Sequence, residues 1–208
     1  MQKIARLHLG RSFAVTFSTV SSRLAAEQTK SIERRMEPAT ASTHPAALPA
    51  ERLLADCNVR RTRRSGPGGQ HRNKVETAVI IEHLPTQISA EASERRSQEE
   101  NRQEALFRLR LRLAVEVRSA VSIPFRPSLL WSARCRQGKV PVNPRHEDFP
   151  ALLAEALDVV ASCEHDVKLA AASLACTPSQ LTKLLQMEPR AIAAVNQARE
   201  QLGLHRLK

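Results

Sequence analysis

The chain has 208 residues, enough for one domain with a second small one beside it. A hydrophobic content of 42% excludes a wholly disordered protein, and a formal charge of +11 with a pI near 10.5 points to an anionic partner, nucleic acid before membrane. Aromatic residues are only 3% and tyrosine is absent, which argues against base stacking and for phosphate contact and shape. Cys57, Cys135, Cys163 and Cys176 are widely spaced without a Cys-x-x-Cys pair, so they read as incidental thiols, and no metal site or cofactor is expected. No apolar run reaches the roughly 18 residues of a membrane span.

Residues 1–50 read as a basic, then Pro- and Ala-rich arm without fold. Lys3, Arg6, Arg11 and Arg23 precede the first acid, Glu27, among many Ser and Thr. That composition fits an organellar targeting segment, a disordered basic arm, or a stretch upstream of a true start at Met36. From Glu37 to Pro49 the composition is that of a linker. Ala50 to Cys57 predicts a short helical turn with Leu53 and Leu54, and Asn58 to Thr62 a strand.

Next comes the stretch around which the chain is organised, Arg63-Arg64-Ser65-Gly66-Pro67-Gly68-Gly69-Gln70-His71-Arg72-Asn73-Lys74. Three of the six glycines fall within four positions, and no acid occurs between Cys57 and Val75. Glycine lets backbone approach another molecule closely, proline restrains one φ, and the flanking cations suit a phosphate-rich environment.

Val75 to Glu82 alternates with period two and predicts a strand, Leu84 to Gln87 a turn, and Ile88 to Ala92 the returning strand. Ser97-x-x-Glu100 is a capping box that opens a helix, with Leu106, Leu109, Leu113 and Val117 as its apolar stripe. Arg95, Arg96, Ser97 and Gln98 read as its cap and solvated face, with RNA contact as the alternative.

Ser65 to His71 with Asn73-Lys74, then His83-Leu84-Pro85-Thr86 and Arg96-Ser97-Gln98 in order, resemble the catalytic domain of class I peptide chain release factors and their ribosome-rescue relatives. The resemblance runs from about Arg60 to Val117. It departs at Gln87, where the family usually has glycine, which implies another turn type. The fold implied is α+β: a small antiparallel sheet, one long helix and a projecting Gly-Gly-Gln loop, occupying residues 51–118. The implied activity is ribosome-dependent hydrolysis of the peptidyl-tRNA ester, with Gly68, Gly69 and Gln70 carrying the chemistry. Gln70 would act through its backbone N–H, its side chain shaping the pocket for water and being commonly methylated in the family. Arg61, Arg63, Arg64, His71, Arg72, Asn73 and Lys74 are the expected RNA contacts. The implied partners are the large-subunit peptidyl transferase centre with its rRNA and the peptidyl-tRNA, engaged by a monomer.

Residues 119–147 read as an extended basic, proline-rich connector laid along RNA, or as a plain linker: Arg118 to His146 holds six cations and no acid, with Trp131 as an anchor in the first case. Residues 148–205 read as helical. Asp148 with Pro150 opens the first helix, whose apolar face is Leu152, Leu153, Ala156, Leu157 and Val160. Asp166 to Leu174, a Thr177-Pro178 start, and Pro189 to Leu202 closed by Gly203 follow. The second and third of these resemble a helix-turn-helix with Ala175 in its turn. Six cations and six acids from Ala151 onward leave this unit neutral, which favours packing or protein interaction over phosphate binding.

Neither a stop-codon-reading domain nor a Lys- and Arg-rich tail is recognisable. The function expected is codon-independent release in rescue, in a bacterial-type cytoplasm, with a mitochondrial matrix as the alternative location. The competing readings are a ribosome- or RNA-binding factor without catalysis and a helix-turn-helix regulator.

Overall fold

The structure is a computed structural model whose described residues are 44–62, 77–121 and 124–208. Strand β1 (Cys57–Thr62), β2 (Ala78–His83) and β3 (Ile88–Ala92) form an antiparallel sheet in the order β1-β2-β3. The fold class is α+β, as expected. Within the described residues the second strand begins at Ala78; Val75 and Glu76 of the predicted strand lie outside them. Thr62 is the register partner of Ala78, and Val79 that of Ala92. The period-two pattern puts Val79, Ile81, Ala90 and Ala92 on the buried face.

Between β2 and β3 the chain turns at Leu84 to Gln87. Gln87 itself takes φ 58, the left-handed conformation, and donates its N–H to the His83 carbonyl at 2.8 Å. Thr86 Oγ1 braces the turn through His83 Nδ1 at 2.8 Å and accepts from Ile88 N–H at 3.4 Å. A non-glycine residue there costs about 1–2 kcal/mol, which these bonds help offset.

Helix α1 spans Ala50–Ala55 and seats the fully buried Leu53. Helix α2 (Gln98–Glu116) packs across β2 and β3. Its cap is the predicted one: Ser97 Oγ accepts from Glu100 N–H at 3.3 Å. Its buried stripe is Asn101, Ala105, Leu109, Leu113 and Ala114, while Leu106 and Val117 sit at the margin. From α2, Arg108 donates to the Glu91 carbonyl at 2.9 Å and Arg112 to that of Ser89, so two carbonyls on the open side of β3 are covered.

The expectation that nothing folds before Ala50 is corrected for residues 44–49. Pro45–Ala47 form a short 3-10 helix against α2 and the central helix of the following bundle. His44 explains it: one ring nitrogen accepts from Ala46 N–H at 3.1 Å and the other meets the Val117 carbonyl at 3.2 Å. Arg110 Nε also holds the Ala46 carbonyl at 3.0 Å. The rest of the arm, residues 1–43, lies outside the described residues.

The connector is likewise not simply extended. Helix α3 (Leu129–Arg134) begins at a Ser128 cap and buries Trp131, whose indole N–H donates to the Leu174 carbonyl at 2.8 Å. Arg136 and Lys139 close a tight turn, and the Gly138 carbonyl accepts from Thr177 N–H at 3.1 Å. Two of the connector's cations serve structure: Arg118 donates to the carbonyls of Ala114, Val115 and Val117, and Arg134 pairs with Asp148.

Helix α4 (Phe149–Ser162) is buried nearly all round, Phe149, Ala154 and Val159 included, so it is a central element and not a one-faced surface helix. Against it lie α5 (Val167–Ser173) and α6 (Pro178–Gln186), and α7 (Pro189–Gln201) packs on α6 and α2. The cap at Thr177 forms as predicted, Asp166 Oδ1 caps α5 by accepting from Lys168 N–H, and Ala175 supplies φ 52 in the turn between α5 and α6. One continuous core joins Val79, Ile81, Leu109 and Leu113 to Trp131, Phe149, Leu152 and Leu184.

Candidate functional site

Of the predicted site residues, Gly68, Gly69, Gln70, Arg63, Arg64, His71, Arg72, Asn73 and Lys74 lie outside the described residues. Arg61 is described: it is exposed on β1 opposite Val79, with no side-chain partner among the described residues. The structure therefore defines where segment 63–76 is attached. Its preceding residue, Thr62, is paired with Ala78 across the sheet.

The following residue, Thr77, is held from α2. Asn101, fully buried, donates its amide to the Thr77 carbonyl at 2.7 Å and to the Arg95 carbonyl at 2.9 Å. Its Oδ1 accepts from Arg95 N–H at 2.9 Å. Sequence reasoning missed this residue. The available signal was a lone carboxamide on the stripe Asn101-Ala105-Leu109-Leu113, where an apolar side chain is the norm.

The titratable groups near the attachment points are structural. Burial, with Asp56 adding to it, pushes the Cys57 thiol up to about 11, and its Sγ donates to the Leu53 carbonyl at 3.1 Å. A thiol so held is a poor nucleophile at neutral pH. Burial lowers the His83 imidazole below its usual value, and its Nδ1 is spent on Thr86. Among the described residues no group of His, Cys, Asp and Glu could hold a metal ion.

An open groove of about 670 Å³ runs along the outer sheet face, lined by Arg60, Ile80, Glu91, Arg108, Arg112 and Arg190 among others. Its cations are already matched: Arg60 to Glu82, Arg108 to Glu94 and Glu104, Arg112 to Glu116, Arg190 to Glu188. It is a lattice of surface ion pairs and makes a poor anion site.

Comparison with known proteins falls on this same part of the chain. Residues 53–124 match the family described as the RF-1 domain. Over these residues the chain is class I release-factor-like. Peptide chain release factor 1 of Acidiphilium cryptum is 48% identical over 68 residues, 33% of this chain and 19% of that protein. The chloroplastic peptide chain release factor PrfB1 of Arabidopsis thaliana is 48% identical over 60 residues, 29% and 13% of the two chains. Peptide chain release factor 1 of Streptococcus pneumoniae is 54% identical over 50 residues, 24% and 14%. The aligned part is thus a fifth or less of the length of these relatives. The release-factor-like segment takes in β1 to β3 and α2, with segment 63–76 between the first two strands; α3 to α7 lie beyond it.

Proposed function

We propose that the chain triggers ribosome-dependent hydrolysis of peptidyl-tRNA, acting without a codon in ribosome rescue. The supporting observation is Gly68-Gly69-Gln70 lying within the RF-1 match, between the paired residues Thr62 and Ala78.

In that reaction a water oxygen attacks the ester carbonyl carbon and the bond to the ribose oxygen breaks. The ribose oxygen takes a proton and the peptide leaves as an acid. Negative charge builds on the carbonyl oxygen and the departing ribose oxygen, and a backbone N–H placed there stabilises it. On this reading Gln70 supplies the N–H, Gly68 and Gly69 supply the backbone shape that aims it, and the Gln70 side chain admits water while excluding bulkier nucleophiles. The ribosome completes the site, so no general base is required of this chain. Arg61, Arg63, Arg64, Arg72, Asn73 and Lys74 contact rRNA phosphates, and His71 contacts RNA or packs the loop.

The helical unit is proposed as an interaction or packing unit. A second reading, a DNA-binding regulator, draws on the α5–α6 pair and its Ala175 turn. The balance of six cations and six acids from Ala151 onward weighs against it. No helix among the described residues is long and apolar enough to cross a membrane. A bacterial-type cytoplasm is the proposed location, with a mitochondrial matrix as the alternative.

The test is peptide release from purified ribosomal complexes holding labelled peptidyl-tRNA in the P site. Three A sites are compared: a stop codon, a sense codon, and no mRNA beyond the P site. Release from the last at a rate at least equal to the stop-codon complex is expected. Release only at a stop codon overturns the rescue assignment, and no release from any complex overturns the catalytic one.

A further inference from the structure

The turn between β3 and α2, residues 93–97, is tied to the exit of segment 63–76 by one side chain. Asn101 uses its acceptor and both donor hydrogens on Arg95 N–H, Arg95 C=O and Thr77 C=O, at 2.9, 2.9 and 2.7 Å. This fixes the Arg95 backbone beside the last residue before β2. Arg95 and Arg96 are exposed, and neither guanidinium has a partner among the described residues.

That sets them apart from the other arginines of the sheet face and α2. Arg60 meets Glu82, Arg102 meets Glu99, Arg108 meets Glu94 and Glu104, and Arg112 meets Glu116. Two acids beside Arg95 and Arg96 are therefore drawn away, Glu94 by Arg108 and Glu99 by Arg102. Glu100 lies in the first turn of α2, where negative charge suits the helix dipole.

Arg61 stands at the same end of the sheet on the other side of β2: it is opposite Val79, which is opposite Ala92. Guanidinium groups with no partner among the described residues thus lie on both sides of the strand that segment 63–76 leads into. They are left able to take an anionic partner, and a planar guanidinium fits a phosphate through paired N–H donors.

We propose that Arg95 and Arg96, with Arg61, form a phosphate-contacting collar on the RNA backbone at the base of segment 63–76. The collar rests on the release-factor reading of function and adds to it a second RNA contact, contributed from outside the segment.

The test measures the affinity of the full chain for ribosomes that hold peptidyl-tRNA and an empty A site, across a series of KCl concentrations. For the Arg95→Gln/Arg96→Gln double variant, Kd rises on the order of tenfold. The slope of log affinity against log salt becomes shallower by about 1.4–1.8, two contacts at about 0.7–0.9 each. The rate of release at saturation stays that of the wild type, since these residues do not touch the ester. Arg60→Gln/Arg102→Gln removes equal charge from guanidinium groups already paired with Glu82 and Glu99 and leaves the slope unchanged. Thermal melting checks that both variants remain folded. Wild-type slope and Kd in the Arg95→Gln/Arg96→Gln protein, or an equal loss in the Arg60→Gln/Arg102→Gln protein, overturns the collar while leaving the function reading intact. Failure of the wild type itself to bind overturns both, and is seen as a separate result.

Discussion

The sheet half and the helical half of the described chain are built on different rules. The sheet's own share of the core is thin: Val79, Ile81, Ala90 and Ala92 are the apolar residues of its buried face. Polar side chains do much of the fastening there, with Asn101 on Thr77 and Arg108 and Arg112 on β3. In the helical half, large residues do it, with Trp131, Phe149, Leu152, Leu153 and Leu157 gathered on and around α4. A three-stranded sheet with one helix buries little surface per residue and is marginal alone. Here α2 is sandwiched between the sheet and α4, so the release-factor-like segment draws its stability from helices outside the matched region.

The most severe way to break that comparison is Trp131→Ala. It leaves a cavity and orphans the Leu174 carbonyl, and should cost about 3–5 kcal/mol. Because the core is continuous, the urea midpoint of the helical circular-dichroism signal and the hydrogen-exchange protection of β2 should fall together. Loss of the helical signal with β2 protection intact would mean the halves are independent.

Asn101→Asp probes the polar fastening of the sheet half. Two donors become acceptors facing carbonyl oxygens, with a buried charge, at a cost of about 3 kcal/mol near pH 7. The penalty should shrink at pH 4, where a protonated carboxyl can donate one bond. A pH-independent loss would show that the bonding to Thr77 and Arg95 is not what the residue supplies.

In the helical half the corresponding polar group works the other way. Burial pushes the Asp158 carboxyl up to about 6, against the bond from Ser119 N–H and the nearby Arg118, with Glu155 adding to the rise. Its folded pKa lies above the unfolded value, so its favourable contribution is complete below about pH 4 and is lost as the pH rises through 6. Asp158→Asn should therefore gain about 2–3 kcal/mol at pH 7.5 and nothing at pH 3.5, read from denaturation midpoints. An equal gain at both values would remove the titration from the explanation.

The smallest effect is at the β2–β3 turn. Gln87→Gly relieves the left-handed strain at φ 58 and loses unfolded-state restriction, a net gain of about 0.5–1 kcal/mol. A loss in melting temperature would mean the glutamine side chain supports the turn.

How much of this could be read beforehand follows from the range of each signal. Period-two alternation in β2, the caps at Ser97 and Thr177, and the proline starts of α6 and α7 are local, and all were legible. Trp131 under Leu174, His44 under Val117 and Asn101 on Thr77 join residues 43, 73 and 24 positions apart, and no local pattern announces them. Gln87 and Ala175 show a subtler limit: neighbouring bonds hold a left-handed backbone that composition assigns to glycine. For the candidate site the order is reversed. Gly68-Gly69-Gln70 is plain in the sequence, while the structure contributes its attachment through Thr62, Ala78 and Thr77.

The central claim is that segment 63–76 carries the chemistry and the rest of the chain holds it in place. Single-turnover release by wild type and Gly69→Ala, each at saturating occupancy on ribosomes with an empty A site, tests it most directly. A Cβ at position 69 should misplace the Gln70 N–H and reduce release at least a hundredfold while binding is retained. Release by a bound Gly69→Ala protein at the wild-type rate would contradict the account.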